Sequence, residues 1–377
     1  MKRFSISLIL IFLIIGLSFI FLNCRKSNSE DIVSINISQT NDDTIQPEKS
    51  KDTITVVAVG DIMLGTNYPT NINYLPPNDD CSALWAPVVK YLRDADLTFG
   101  NCEGTFNDHP EYVRGCNSDN CYRFSMPTKY VHCFVDAGFD VLSNANNHVA
   151  DAGTFGKKST LKTIKDAGLH SAGLVEKPTD TFSINGVKWG FCAFAPNEGT
   201  CQINDYKKMQ QTVSMLKKEC DLVLVSFHGG AEGHTHEHVT RAYETFLGQN
   251  RGNVYEFAHK AIDAGADLVI GQGPHVTRAV ELYKGKFIAY SLGNFCTYRR
   301  FNLKGVNGIA PIVKIWVDSN GDFIKAKIIP VYQDKMTGTH YDELGRVIKR
   351  MQELTKEDFP EGVLNISDDG WITKIEG

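Results

Sequence analysis

The sequence predicts an α/β fold, a layered α/β sandwich with mixed central sheets. From Thr53 onward, short apolar runs alternate with amphipathic stretches whose apolar residues recur at three- and four-residue intervals. That is the rhythm of strands covered by helices. The runs TVVAV, LVLVSF and DLVIG are apolar almost throughout, as expected of strands buried on both faces. Asn185-Gly186 and Asn320-Gly321 sit between alternating runs, so hairpins must make part of the sheet antiparallel.

In chain order, TITVVAVG reads as a buried strand, ALWAPVVKYLRDA as a helix and DLTFGN as a second strand. TKYVHCFVDAGF reads as a helix, DVLSNA as a strand, and GKKSTLKTIKDAG as a helix stopped by Gly168. The segment TFSINGVKWGFCAFAP is a hairpin. MQQTVSMLKKEC and VYEFAHKAIDAGA are helices, each followed by a strand, DLVLVSFHGG and DLVIGQGPHV. AVELYKGKFIAYSLGNF and APIVKIWVDSNGDFIKAKIIPVY are further hairpins, and DELGRVIKRMQELTK is a late helix.

The N-terminus has a different character. Lys2-Arg3 precede the apolar run SISLILIFLIIGLSFIFL, which closes at Asn23-Cys24. This is the pattern of an export signal, and FLNC resembles a relaxed lipobox in which Cys24 is lipidated. An uncleaved single-span anchor is the alternative. Both place the domain outside the cytoplasm, tied to a membrane. Residues 25–51 are polar and aperiodic and read as a tether. The expected organisation is therefore 1–24 export signal and anchor, 25–51 tether, 52–335 main domain and 336–377 a C-terminal helical extension of it.

The 39 basic and 44 acidic residues give a net charge of −5. No basic stripe, GxxxxGK[ST] or GxGxxG points to nucleic acid or a nucleotide loop. Export permits disulfides among the cysteines beyond Cys24. Cys116 and Cys121, bracketing the turn-rich NSDN, are the favoured pair, and Cys192 with Cys201 come second.

The chemistry-bearing residues follow the strands. Asp61 comes after TVVAV, Glu103 after DLTF, Asn144 to His148 after DVLS, His228 at the LVLVSF strand end, and Gln272 to His275 after DLVIG. Ligands of open α/β sheets bind in the crevice beyond the strands' carboxyl ends. One polar residue at a strand end is ordinary; five of metal-ligand type in series point to one site. Carboxylates, an amide oxygen and imidazoles form a set suited to Zn, Mn or Fe(II) rather than Ca. Within NANNHVADAG, Asn147 offers a neutral oxygen and His148 an acid facing the substrate. Asp151 either fixes the His148 tautomer or caps the following helix.

Other polar residues have bland readings beside the functional ones. The run from Gly233 to His238 is a solvated loop or a metal site, with His238 the candidate contributor to the main pocket. Glu232 is a supporting carboxylate or a surface charge. Arg251 can pair bidentately with a carboxylate or phosphate, or be an exposed arginine. Arg299-Arg300 could guide an anionic chain to the cleft, or simply be surface residues. No serine lies in GxSxG, so a nucleophile elbow has no support.

GDIMLG, GNCEG, SNANNHVADAG, SFHGGAEG, DAGADLVIGQGPHV and YSLGNF, in this order and spacing, resemble the CapA-type poly-γ-glutamate capsule biosynthesis family. That family is similar in fold to calcineurin-like metallophosphoesterases. The resemblance runs from about Thr53 to Gln333. It implies Asp61, Glu103, Asn147, His228 and His275 around one or two divalent transition metal ions, with His148 and Asp151 catalytic. Asn146, His238, Arg251 and Asn294 are expected to bind substrate. Two positions depart from the wider pattern: Met63 stands where metallophosphoesterases carry the histidine of Asp-x-His, and Gln272 where many relatives carry histidine. The expected function is a membrane-anchored, extracytoplasmic metal-dependent hydrolase of envelope-polymer biosynthesis, acting on a phosphoester or peptide bond. The alternative is a non-catalytic accessory subunit that binds the nascent anionic polymer beside a membrane synthase.

Overall fold

The structure is a computed structural model that describes residues 52–115 and 121–375. The expected anchor with Cys24, the tether and Cys116 lie outside the described residues. Among the described residues no helix is long and apolar enough to cross a membrane.

The first strand, Thr53–Met63, is the axis of the larger sheet. Its alternation decides which residue feeds which layer: Val56 and Ala58 enter the core between the sheets, while Val57 and Val59 enter an outer core. On one side it runs parallel to Leu97–Cys102, which continues to Val141–Ser143 and His170–Ala172. On the other side it pairs antiparallel with Ile309–Asp318, and beyond lie Phe323–Asp334, Trp371–Lys374 and Leu364–Ile366. The second sheet has the order 280–283, 286–289, 268–272, 222–228, 187–194, 179–184. Its three central pairings are parallel and its two outermost pairings are antiparallel hairpins.

Phe99 and Val313 from the first sheet meet Phe191, Leu224 and Ile270 from the second in one core. Helices Val131–Ala137 and Gly153–Asp166 cover the outer face of the first sheet through Phe134 and Ile164. Tyr206–Glu219 and Val254–Asp263 cover the second through Val213 and Phe257. The expected sandwich, mixed sheets included, is what the chain forms. Asp205 and Asn253 cap these last two helices, each side chain accepting an N–H of the first turn. The Asn185-Gly186 hairpin has φ of 51° and 79° at its two turn residues, the doubly left-handed turn that Asn-Gly favours.

Three local expectations are corrected. ALWAPVVKYLRDA forms only the short turns Ser82–Leu84 and Val89–Leu92. Pro87 in its middle lacks an N–H and disfavours helix for the residue before it. Cys192 and Cys201 are free thiols. Cys192 packs in the outer core of the second sheet, while the Cys201 thiol turns to the Leu174 carbonyl at 3.7 Å. The disulfide that does form among fully described partners is Cys81–Cys133, which ties the loop after the first strand to helix Val131–Ala137. Cys121 is disulfide-bonded as well. The segment read as a helical extension holds helix Arg346–Asp358 together with strands Gly338–Tyr341, Leu364–Ile366 and Trp371–Lys374, all joined to the first sheet.

Candidate metal centre

The strand ends converge because glycines let backbone approach backbone. A Cβ on Gly60 would lie 1.8 Å from the Gly293 carbonyl oxygen, the group that accepts the Asp61 N–H at 2.8 Å. Gly273, at φ 114°, stands so near Gly229 that a Cβ would come within 2.7 Å of its nitrogen. These contacts bring the ends of the strands carrying Asp61, His228 and Gln272 to one crevice. His275 has φ 57°, a left-handed conformation uncommon outside glycine and a sign of local constraint.

One donor atom from each of Glu103, His228 and His275 lies within 4.8 Å of the other two. Glu103 and His228 are fully buried. The Glu103 Oε1 atom, both ring nitrogens of His228 and the Asn147 Oδ1 atom are buried without a hydrogen-bond partner. Unsatisfied polar atoms in a protein interior cost about 1–3 kcal/mol each. Two of them, Glu103 Oε1 and His228 Nε2, lie 3.5 Å apart, and a cation between them and His275 would satisfy both. A carboxylate, two imidazoles and an amide oxygen suit a divalent transition metal.

Around this cluster is a buried hydrogen-bond network. Asn101 Nδ2 donates to Asp61 Oδ1 at 2.8 Å and to Glu103 Oε2 at 2.6 Å. His275 Nδ1 lies 2.8 Å from Asp61 Oδ2, leaving Nε2 for a metal. Asp61, expected among the ligands, thus holds His275 in place and stands outside the three mutually close donors. Burial works against a charge on His275. The Asp61 hydrogen bond and the negative charges of Asp61, Glu232 and Glu103 outweigh it and push its pKa up to about 9. Burial likewise opposes the Glu103 charge, but the imidazoles of His228, His148 and His275 pull its carboxyl well below the usual range.

His148 is buried with Nδ1 2.8 Å from Asp151 Oδ2 and Nε2 3.9 Å from Glu103. Desolvation lowers its pKa, yet the Asp151 charge and hydrogen bond prevail and raise it. Asp151 also accepts from Arg123 at 2.9 Å and from the Phe124 N–H at 2.7 Å. Of its two expected roles the structure shows the orienting one; Ala152, not Asp151, precedes helix Gly153–Asp166.

A cleft of about 510 Å³ opens over the cluster, lined on its floor by Asn147, His148 and His275. Arg251 is only 3% exposed, and its Nη1 pairs with Glu232 at 3.0 Å. Its Nε and Nη2 are buried without partners. Asn294 lines the same cleft, its amide donating to the His275 carbonyl at 3.1 Å while Oδ1 stays unpartnered.

Two expected substrate residues are placed elsewhere. Asn146 is fully buried, donating to the Cys102 carbonyl at 2.8 Å and accepting the His148 N–H at 3.0 Å, so it holds the loop. His238 is half-exposed, with Nδ1 2.7 Å from Asp358 at the end of helix Arg346–Asp358, and does not line the cleft. Sequence reasoning missed Asn101, Phe124, Phe301 and Asn307. Asn101 lies in GNCEG and Asn307 in GVNG, so motif membership could have found both. Phe124 and Phe301 carried no such mark, yet their rings stack at 4.9 Å and flank His148 and His275 at 4.2 and 5.4 Å.

The sequence model of the bacterial capsule synthesis protein PGA_cap matches residues 55–299. The capsule biosynthesis protein CapA of Bacillus anthracis is 30% identical over 276 residues, covering 67% of this chain and 62% of that protein. The PGA biosynthesis protein CapA of Bacillus subtilis (strain 168) is 28% identical over 262 residues, covering 65% and 64%. The chain thus spans less than two thirds of the length of these relatives. Among solved structures, a 5′-nucleotidase precursor from Thermus thermophilus aligns at 12% identity with a TM-score of 0.39, covering 77% of this chain and 54% of that one.

Proposed function

The chain belongs to the bacterial capsule synthesis protein PGA_cap family, and from that premise we propose that it is a metal-dependent hydrolase acting on an anionic envelope polymer or its phosphoester precursor. One observation carries the reading: a fully buried carboxylate and imidazole, Glu103 and His228, turn unpartnered atoms toward His275. Glu103, His228 and His275, with Asn147 as a neutral oxygen donor, would hold the ion. A divalent transition metal bound there supplies Lewis-acid activation of water and of the scissile group.

The chain's own residues do the rest. Asp151 fixes His148 with Nδ1 occupied, so that Nε2 faces the cluster and can deliver a proton to the leaving group. The Asp151 charge and hydrogen bond raise the His148 pKa and so favour the protonated, proton-donating form. Arg251, steadied by Glu232, presents its Nε/Nη2 edge to an oxyanion of the substrate. Phe124 and Phe301 wall the cleft and limit water access.

The test is elemental analysis of the purified protein beside Glu103→Ala and His228→Ala, with turnover of a chromogenic phosphodiester. The expected result is about one or more equivalents of transition metal in the wild type and loss of most of it in each folded variant. Full metal content in both variants would sink the proposal.

A second reading, a polymer-binding accessory subunit without turnover, is favoured by Met63. Its thioether accepts the Gly65 N–H at 3.3 Å and packs with Phe124 and Phe301, adding no metal donor at the first strand's end. Polymer affinity with bound metal but no hydrolysis would select it. We further propose that the N-terminal segment directs export and that lipidated Cys24, as the mature N-terminus, holds the domain to the membrane outside the cytoplasm. Labelling of cells with a radioactive fatty acid tests this: Cys24→Ala should abolish incorporation, and retained label would refute it.

A further inference from the structure

Arg299 and Arg300 follow the strand Asn294–Thr297 out of the metal cleft, and the proposed chemistry leaves them unused. The cleft wall formed by Tyr122, Arg300, Phe301 and Asn302 also lines a second groove of about 370 Å³, so the two lie side by side. Tyr74, Arg299 and Lys335 complete that second groove. The Arg300 guanidinium lies over the rings of both Tyr74 and Tyr122, at 4.7 and 5.0 Å from their centroids. Two aromatic faces fix its plane, and its Nε is buried without a hydrogen-bond partner. Arg299, at φ 64°, is held by the Asn73 carbonyl at 3.1 Å and stacks on Tyr298 at 5.4 Å.

Acidic residues outnumber basic ones, 44 to 39, yet none of Arg299, Arg300 and Lys335 forms an ion pair with a carboxylate among the described residues. Arg251, Arg278 and Arg350, by contrast, each have an acidic partner. Three uncompensated cations along one groove raise the local concentration of anions. A planar guanidinium with a free edge grips carboxylate or phosphate by the same geometry.

We propose that Arg300, framed by Tyr74 and Tyr122, anchors a second oxyanion subsite that takes the next anionic unit of a chain-like substrate whose reacting unit lies at the metal centre. Arg299 and Lys335 extend the subsite outward, and Phe301 gives the uncharged linker an apolar wall. The inference rests on the cleft being the substrate site. It deepens that reading by naming the side chains that would hold the unit beyond the reacting one.

The test uses the full chain with its metal and two probe series: glutamate against oligoglutamate of about eight residues, and phosphate against a linear oligophosphate of similar length. Binding is measured at low salt, where such contacts are least screened. In the wild type the long probe of at least one series should bind about tenfold or more tightly than its unit, and that series identifies carboxylate or phosphate as the repeating group. Arg300→Gln should cut the long-probe affinity about tenfold, leave the single unit within about twofold and leave metal content unchanged. No length dependence in either wild-type series would overturn the subsite. So would an Arg300→Gln effect that is absent, or equal for long and short probes. Metal content, read separately in Glu103→Ala, reports on the metal centre itself, so the two ideas fail independently.

Discussion

If His275 is a metal ligand, metal uptake must displace a proton from it. Asp61, 2.8 Å from Nδ1, is the main reason that the metal-free imidazole titrates near 9 despite its burial. A ligand imidazole has to be neutral at the coordinating nitrogen. Below pH 9 the charged form dominates, so apparent affinity should rise about tenfold per pH unit and level off above 9. At pH 7 the gap of about two units corresponds to about 100-fold, or about 2.7 kcal/mol at about 1.36 kcal/mol per unit. Calorimetric titration with Zn²⁺ or Mn²⁺ in buffers of different ionisation enthalpy counts the released protons. The expected count at pH 7 is about one from His275, and His275→Gln should abolish it while His148→Gln should not. An affinity that stays flat from pH 6 to 8 with no proton release would refute the placement of His275 against the metal.

Three more outcomes follow from the packing. Asp151→Asn should leave metal content unchanged and lower phosphodiester turnover by about 100-fold, since an amide neither orients nor stabilises protonated His148; unchanged turnover would remove His148 from the proton path. Arg278→Met should cost about 3–5 kcal/mol in urea unfolding, because fully buried Arg278 neutralises Glu244 at 2.7 Å and ties down the Ala231 and His236 carbonyls; a loss under about 1 kcal/mol would show that water reaches this pair. Cys81→Ser should destabilise by about 4 kcal/mol, as expected for opening a loop closed across 52 residues, and reducing agent should shift the wild type by at least as much because it opens the Cys121 bridge too.

Much of the architecture could be read from periodicity, since hairpin formation at Asn185-Gly186 and the amphipathic repeat of helices Tyr206–Glu219 and Val254–Asp263 are local features. The strand-end positions of Glu103, His228 and His275 were legible for a similar reason: an α/β sheet delivers its strand ends to one crevice, so sequence order already implies nearness. The failures have the opposite character. Cys81 meets Cys133 across 52 residues through packing around Trp85 and Phe134, with nothing local to announce it. His238 stands out in sequence as the end of the histidine-rich run from Gly233, but Asp358, 120 residues away, claims it.

The division of labour between Asp61 and Asn101 shows why a donor type alone does not assign a role. Both are fully buried, and Asp61 is the more obvious ligand. Yet each Asp61 oxygen already accepts a hydrogen bond, one from Asn101 and one from His275, whereas Glu103 Oε1 accepts none and lies 3.5 Å from His228 Nε2 and 3.9 Å from His148 Nε2. A buried carboxylate with both oxygens satisfied gains less from a cation than one with an orphaned atom, because its desolvation has already been offset. Satisfaction, rather than identity, therefore separates the group that would bind the metal from the group that aims the imidazole. Asp61→Asn tests this ordering: it should return His275 toward its ordinary pKa and flatten the pH dependence of metal affinity while metal still binds at high pH. Complete loss of metal at every pH would instead place Asp61 in direct contact with the ion.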